Sequence, residues 1–251
     1  MNAQRFADRS ILVTGGASGI GRAAALAFAA EGGKVMIGDL DAEGGAAVVA
    51  EIAAAGGTAR FLKANAAEEA DVAALVEAAC AAHGPVRHAF NNVGLSRHGS
   101  LETMTRADWD WTLGVSLTST FLAMKHEIPV MRAQGGGTIV NTASMSGKIF
   151  TAAASPAYSA AKAGVIQLSH YASCAHGAEG IRVNSVSPGL TATRIVASLL
   201  TVEQQKAIAA ELQVVARAVE PEEIAAAVLF LSSDEAAMIT GRDLEVSGGR
   251  R

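Results

Sequence analysis

The chain has 251 residues, half of them hydrophobic and 18% charged, with 26 glycines; this fits one large α/β domain with a substantial core and excludes disorder, collagen-like repeats and a disulfide scaffold. Twenty Lys+Arg against 24 Asp+Glu leave a net charge of −4, and aromatics make up only 4%. That balance argues against non-specific nucleic-acid binding and against a stacking platform for single strands.

Strand-like and helix-like segments alternate along the whole chain. Short β-branched or apolar runs predict strands at Ser10–Thr14, Lys34–Asp39, Thr58–Lys63, Val86–Asn91, Thr138–Thr142, Arg182–Ser187 and Leu244–Val246. Between them, Ala-rich stretches predict helices at Gly19–Glu31, Glu43–Ala55, Glu68–His83, Arg106–Ala133, Ala157–Ala175 and Pro221–Ser232. Thr105 stands where a helix cap belongs, and Glu220-Pro221 puts Pro at a first helical position. Pro129, late in the long Arg106–Ala133 helix, is expected to kink it or shorten its last turns. Strict β/α alternation needs crossover connections, so the expected fold is a single-domain, doubly wound parallel sheet of Rossmann type with helices on both faces. Leu190–Val219 interrupts the alternation and is expected to form a lid carrying short helices.

The first predicted strand runs into Thr14–Gly21, a Gly-rich turn opening a helix, with glycines at 15, 19 and 21. In that context backbone can approach a pyrophosphate at a helix N-terminus. The second strand ends on Asp39, 18 residues after Gly21, where a carboxylate suits an adenosine ribose. Tyr158 and Lys162, at i and i+4, put a phenol and an ammonium on one helical face, and Ser144 follows the fifth strand. The carboxyl ends of strands in such a sheet face the ligand crevice.

Taken together, Thr14–Gly21 (T-G-x-x-x-G-x-G), Asn91-Asn92-Val93-Gly94, Ser144, Tyr158-x-x-x-Lys162 and Asn184-Ser185-Val186-Ser187-Pro188-Gly189 resemble the short-chain dehydrogenase/reductase family over essentially the whole chain. The resemblance implies an oxidoreductase that moves a hydride between NAD(H) and a secondary alcohol or ketone. Tyr158 is then the general acid/base, Lys162 lowers the phenol pKa and holds ribose hydroxyls, and Ser144 polarises the substrate oxygen. It further implies cofactor contacts from Gly15, Ser18, Gly19, Ile20, Gly21, Asp39, Leu40, Asn65, Ala66, Asn91, Val93, Gly94, Pro188, Gly189, Thr191 and Thr193. Asn91 is expected to support the adenosine side, and Thr193 to reach the carboxamide or pyrophosphate. Asp39 favours NAD over NADP because a carboxylate repels a 2′-phosphate; Arg22, the nearest base, is expected to face the pyrophosphate or solvent.

Four residues at three sites depart from the family pattern. Val93 replaces the common Ala, Asn65-Ala66 replace Asp-Val, and Ser116 stands where an Asn completes the proton relay. The relay is therefore not carried over whole: the Ser116 hydroxyl holds the relay water one atom further away, or an enlarged cavity holds an extra water. A cofactor-binding sensor or scaffold with lost catalysis is the alternative reading. Retention of Ser144, Tyr158 and Lys162 speaks for the enzyme.

Substrate contacts are expected from Leu95, Arg97, Met145, Phe150, Ile195 and Leu199, and the apolar members of this set favour a bulky apolar substrate. The histidines form no ligand cluster, so no metal is expected. Cys80 and Cys174 share no redox or metal spacing and are expected as small core residues in a reducing cytoplasm. No signal region opens the chain, and its longest apolar runs, Ala23–Ala30 and Ala225–Leu231, are too short to span a bilayer. A cytoplasmic homotetramer without membrane or nucleic-acid partners is expected, its interfaces on Ala157, Ala161, Ala163 and Val165 and on Leu113, Leu117 and Phe121, with the C-terminal segment forming a second contact.

Overall fold

Ile11, Leu12 and Val13 are three apolar side chains in a row, a pattern that needs apolar cover on both strand faces. The computed structural model describes residues 4–249, the side chains of Arg194 and Ile195 excepted. It places these three in β1 (Ser10–Thr14), buried in an interior strand of a seven-stranded sheet. The other strands are β2 (Lys34–Asp39), β3 (Thr58–Lys63), β4 (Val86–Asn91), β5 (Gly137–Thr142), β6 (Ile181–Pro188) and β7 (Asp243–Val246). Their order is β3-β2-β1-β4-β5-β6-β7, parallel throughout. The winding direction reverses between β1 and β4, so a crevice opens at their carboxyl ends, where Thr14 pairs with both Gly38 and Asn91.

Helices α1 (Gly19–Ala30), α2 (Ala42–Ala54), α3 (Glu69–His83), α4 (Arg106–Leu113), α5 (Ser119–Ala133), α6 (Pro156–His176), α7 (Arg194–Leu199), α8 (Val202–Leu212) and α9 (Pro221–Ser232) supply the crossovers. On one sheet face Ala23, Ala24, Ala25 and Phe28 of α1 meet Ile224, Ala225, Val228 and Leu229 of α9 in one buried core. On the other, Leu75, Val76 and Ala79 of α3 pack with Met124, Ile128 and Met131 of α5 and with Ala172 of α6. Alanine at these contacts lets the helices lie close to the sheet. The caps form as expected: the Thr105 side chain accepts from the Asp108 N–H, and Glu220 and Glu223 form a reciprocal capping box ahead of α9.

Two expectations need correction. The helix over Arg106–Ala133 is interrupted, though not at Pro129, through which α5 runs on to Ala133. The break is a π-turn at Gly114–Thr118, between α4 and α5. Gly114 holds a helix weakly, and the Ser119 hydroxyl donates to the Val115 carbonyl at 2.5 Å. Cys174 is exposed, and Cys80 only partly covered: the α6 face bearing Cys174 has no layer above it. The 190–219 segment carries α7 and α8 as foreseen, and its ends are clasped where Ala192 N–H meets the Val219 carbonyl and Val219 N–H the Leu190 carbonyl, each at 2.8 Å. No helix among the described residues is long and apolar enough to cross a membrane.

Candidate active site

The turn after β1 is shaped by glycine chemistry. Gly15 has φ +65°, and a methyl built on Gly21 would come 2.0 Å from the Gly15 carbonyl oxygen, so only hydrogen fits there. Ser18 occupies the cap position of α1 without its hydroxyl capping the helix, and Ile20 follows in the first turn, half-buried. This leaves the α1 N-terminus facing the crevice with its N–H groups available, an arrangement suited to phosphate. Asp39 ends β2 beside it: one carboxylate oxygen accepts the Ala17 N–H and the other the Asp41 N–H, both at 3.0 Å. Leu40 is exposed next to it. Arg22 is drawn away to Glu51, which its guanidinium meets at 2.6 and 2.7 Å. Asn65 stays near this end, its side-chain carbonyl accepting the Ala67 N–H at 3.1 Å, and Ala66 lies between them, half-buried.

Asn91 and Asn92 divide their tasks in a way the sequence did not disclose. The Asn91 side chain, expected to support the adenosine, instead points into the core. It donates to Glu127 at 3.1 Å and to Asn141 at 3.0 Å, and Asn141 in turn donates to the Ser169 hydroxyl at 2.9 Å. Asn92 faces the crevice: its amide donates to the Gly15 carbonyl at 3.3 Å and accepts from the Thr142 hydroxyl at 3.1 Å. Which of two adjacent residues faces the crevice depends on strand parity, and parity follows from the β4–β5 register that pairs Asn91 with Asn141. Glu127 went unforeseen because a charged residue within a helical pattern is ordinarily read as facing solvent. Burial pushes its pKa up to about 7, against the lowering effect of the Asn91 hydrogen bond.

Ser144, Tyr158 and Lys162 come together at the end of β5. Ser144 lies near enough to the Tyr158 hydroxyl to oppose the rise of its pKa, and the Ser144 oxygen accepts the Ser146 N–H at 3.2 Å. Ser155 caps α6 one turn before Tyr158, accepting the Tyr158 N–H at 3.2 Å. Lys162 is 1% exposed; its Nζ donates to the Thr142 carbonyl at 2.6 Å and lies 5.7 Å from the Tyr158 ring centre. Desolvation lowers the Lys162 pKa to about 7, with no carboxylate to oppose it. Desolvation also raises the Tyr158 phenol, against the opposing effect of Ser144; the lowering expected from Lys162 is not seen, because burial outweighs it. A methyl on Gly94 would stand 2.6 Å from Lys162 Nζ, so the glycine makes the space for the ammonium. Val93 packs beside Gly15.

Ser116 sits in the π-turn, fully buried. Its hydroxyl donates to the Leu95 carbonyl at 2.6 Å and accepts the Leu95 N–H at 3.0 Å. Its one proton is therefore committed to the backbone after Gly94.

The turn after β6, where the resemblance expects the nicotinamide, bounds the other end of the crevice. Pro188 ends the strand, a methyl on Gly189 would meet Ser247 Cα at 2.9 Å, and the Thr191 hydroxyl donates to the Gly189 carbonyl at 3.1 Å. Thr193 caps α7 and lies next to Gly19. The expected substrate residues are less uniform. Met145 is buried in the turn after Ser144, while Leu95, Phe150 and Leu199 project into solvent, Phe150 at 88% exposure. The Arg97 guanidinium is taken up by α4, 4.7 Å above the Trp111 ring and 3.1 Å from Asp108. The Ile195 side chain lies outside the described residues. Among the described residues no cluster of His, Cys, Asp or Glu could hold a metal.

Residues 15–251 match the family described as enoyl-(acyl carrier protein) reductase. The chain belongs to the short-chain dehydrogenase/reductase family. It is 40% identical over 245 residues to the cyclohexanol dehydrogenase of Acinetobacter sp. (strain SE19), covering 97% of this chain and 95% of the relative. Among solved structures it resembles levodione reductase, with TM-score 0.91, 35% identity and coverage of 97% of this chain and 98% of that one. It also resembles a 7α-hydroxysteroid dehydrogenase complexed with NADH and 7-oxo glycochenodeoxycholic acid, with TM-score 0.93, 29% identity and coverage of 98% and 96%. The family's relatives named here are dehydrogenases and reductases, and the parallel Rossmann-type sheet is theirs too.

Proposed function

We propose that this short-chain dehydrogenase/reductase is an NAD-dependent enzyme that interconverts a bulky, apolar secondary alcohol and its ketone. The observation that carries the reading is the convergence of Ser144, Tyr158 and Lys162 beside a glycine cradle suited to a dinucleotide. When bound, the nicotinamide cofactor supplies or accepts the hydride. Gly15, Gly19, Gly21 and the α1 N-terminus would hold its pyrophosphate, Asp39 its adenosine ribose, and Lys162 its second ribose. Ser144 donates a hydrogen bond to the substrate oxygen. Tyr158 gives that oxygen a proton in reduction and takes one in oxidation. The raised phenol pKa keeps Tyr158 protonated at neutral pH, the form that reduction uses. Reduction should therefore fall, and oxidation rise, as pH climbs toward the phenol pKa.

The engagement of Arg22 by Glu51 supports NAD over NADP, since it draws that cation away from a 2′-phosphate. The relatives' names favour a ring-borne alcohol or ketone. The homotetramer expected from the sequence is proposed with an altered contact surface. Ala157, Ala161 and Val165 are wholly buried within the subunit and offer nothing to a partner. Leu117, Phe121, Gly164, Leu168 and Tyr171 instead line an apolar surface groove of about 540 Å³ between the π-turn, α5 and α6, and a second copy of the chain is the proposed occupant.

The test is a panel of cyclic and acyclic alcohols and ketones with each cofactor, followed by absorbance of the reduced nicotinamide. Turnover is expected with cyclic substrates and NAD(H). A higher kcat/KM with NADP, or a preference for polyols, would overturn the corresponding part of the reading.

A further inference from the structure

The turn that carries Ser144 has a second attachment that the chemistry above does not use. From Ser144 the chain folds back on itself: Gly147 N–H meets the Ser144 carbonyl at 2.9 Å, and Lys148 and Ile149 N–H both meet the Met145 carbonyl at 3.0 Å. Gly147 lies flat on α6, where a methyl would come 2.6 Å from Ala163 N and from the Lys162 carbonyl carbon. Lys148 then reaches across to the edge strand β7, with Nζ 3.2 Å from Asp243 Oδ2 and hydrogen-bonded to Glu245. Beyond it Ile149 and Phe150 project into solvent.

Asp243 is no ordinary surface carboxylate. Its side chain is 8% exposed, and its other oxygen accepts the hydroxyls of Ser185 at 2.6 Å and Ser187 at 2.9 Å, both buried in β6. The carboxylate is therefore oriented before Lys148 arrives, unlike a freely moving surface pair. Ser187 immediately precedes Pro188-Gly189, the turn at the nicotinamide end. One ion pair thus joins the loop of the serine that holds the substrate oxygen to the strand that borders the cofactor ring.

We propose that Lys148 is a positioning residue, which through Asp243 and Glu245 fixes the Ser144 turn relative to the end of β6 and so aligns the substrate oxygen with the hydride path. The inference rests on the oxidoreductase reading above. Its chemistry requires reacting atoms held within narrow tolerances, so a turn that drifts loses both binding and rate.

The experiment compares wild type with Lys148→Met, Lys148→Arg and Asp243→Asn. Steady-state kinetics are run on the best alcohol or ketone, NADH affinity is read by fluorescence, and amide hydrogen exchange is followed over residues 145–150 in the protein without substrate. Lys148→Met and Asp243→Asn are expected to raise KM about tenfold and lower kcat severalfold, the scale of a modest misplacement. NADH affinity should be unchanged, and exchange over 145–150 faster. Lys148→Arg, which keeps the charge, should restore wild-type behaviour. Exchange over 145–150 unaltered in Lys148→Met overturns the proposal, as does wild-type KM and kcat in a variant that has merely lost thermal stability. Absence of turnover in wild type with every substrate would instead defeat the oxidoreductase reading, while the exchange comparison still reports on the clamp.

Discussion

Lys162 concentrates the cost of the site at one residue. An ammonium buried to 1% with only a carbonyl for a partner disfavours its own charge, which is why its pKa falls to about 7. The unfolded chain, with an ordinary lysine, binds more protons between that value and about 10.4, so folding stability rises with pH across this window and is lost as pH falls through it. Lys162→Met should then stabilise the protein by on the order of 3 kcal/mol at neutral pH, flatten that alkaline rise, and abolish turnover. Chemical denaturation at pH 7 and 9.5 checks it; a destabilised variant would contradict it. Ser116 acts at the same scale. Its hydroxyl satisfies both polar groups of Leu95, and Ser116→Ala leaves them unpaired beside Gly94. About a tenfold loss in kcat is expected, or roughly 1.4 kcal/mol, with Ser116→Asn tolerated because an amide both donates and accepts. If Ser116→Ala were silent and Ser116→Asn inactive, position 116 would be shaping the pocket instead. Ser144, Tyr158 and Lys162 were expected together from the ordered motifs of the resemblance, and they do converge. The inward turn of Asn91 and the pairing of Ser116 with Leu95 were not legible, since both depend on contacts between residues far apart in the chain.

At the scale of elements, α5 brings a carboxyl into the core that propensity cannot foresee. Glu127 Oε1 and Asn91 Oδ1 are both buried without partners, an arrangement of two acceptors that a proton on Glu127 relieves. Its folded pKa of about 7 lies above the ordinary glutamate value, so the folded state holds the extra proton and its stabilising contribution is present below about pH 4.3 and lost as pH rises through 7. Glu127→Gln supplies a permanent donor. It should remove this pH dependence and raise stability at pH 8 by on the order of 2 kcal/mol, measured by denaturation at pH 5 and 8; an unchanged pH profile would contradict it. The strands were readable to within a residue or so because apolar runs and turn residues bound them, as with β1 and β2. The π-turn at Gly114–Thr118 was not, because a run of residues able to form helix does not reveal where a hydroxyl diverts a carbonyl from the ladder. The expected lid gained its two short helices and a clasped base. Its apolar side chains, such as Leu199, stand in solvent, and closure over a bulky substrate would cover them. Lengthening the apolar portion of a substrate series should raise kcat/KM; a steady fall would remove the lid from the account.

For the whole molecule, strict alternation of strand and helix was enough to foresee a parallel, doubly wound sheet, since crossovers leave few other topologies. Of the faces the sequence offered to a second copy, Phe121 is exposed while Ala157, Ala161 and Val165 are buried, because small residues on α6 suit close packing inside the subunit as well as between subunits. Phe121 and Tyr171, large and exposed, remain for a partner. Sedimentation at micromolar concentration should give a tetramer, and Phe121→Asp should yield smaller species; a wild-type monomer would contradict the assembly. In the proposed reaction the phenol of Tyr158 carries the proton while the glycine cradle holds the cofactor independently of it. Tyr158→Phe checks this, with NADH affinity measured by fluorescence and turnover measured on the same preparation. Wild-type affinity within a few fold and a loss of kcat/KM of at least about a thousandfold are expected, within the span of general acid–base catalysis; turnover retained within tenfold, with cofactor still bound, would contradict the proposed role of Tyr158.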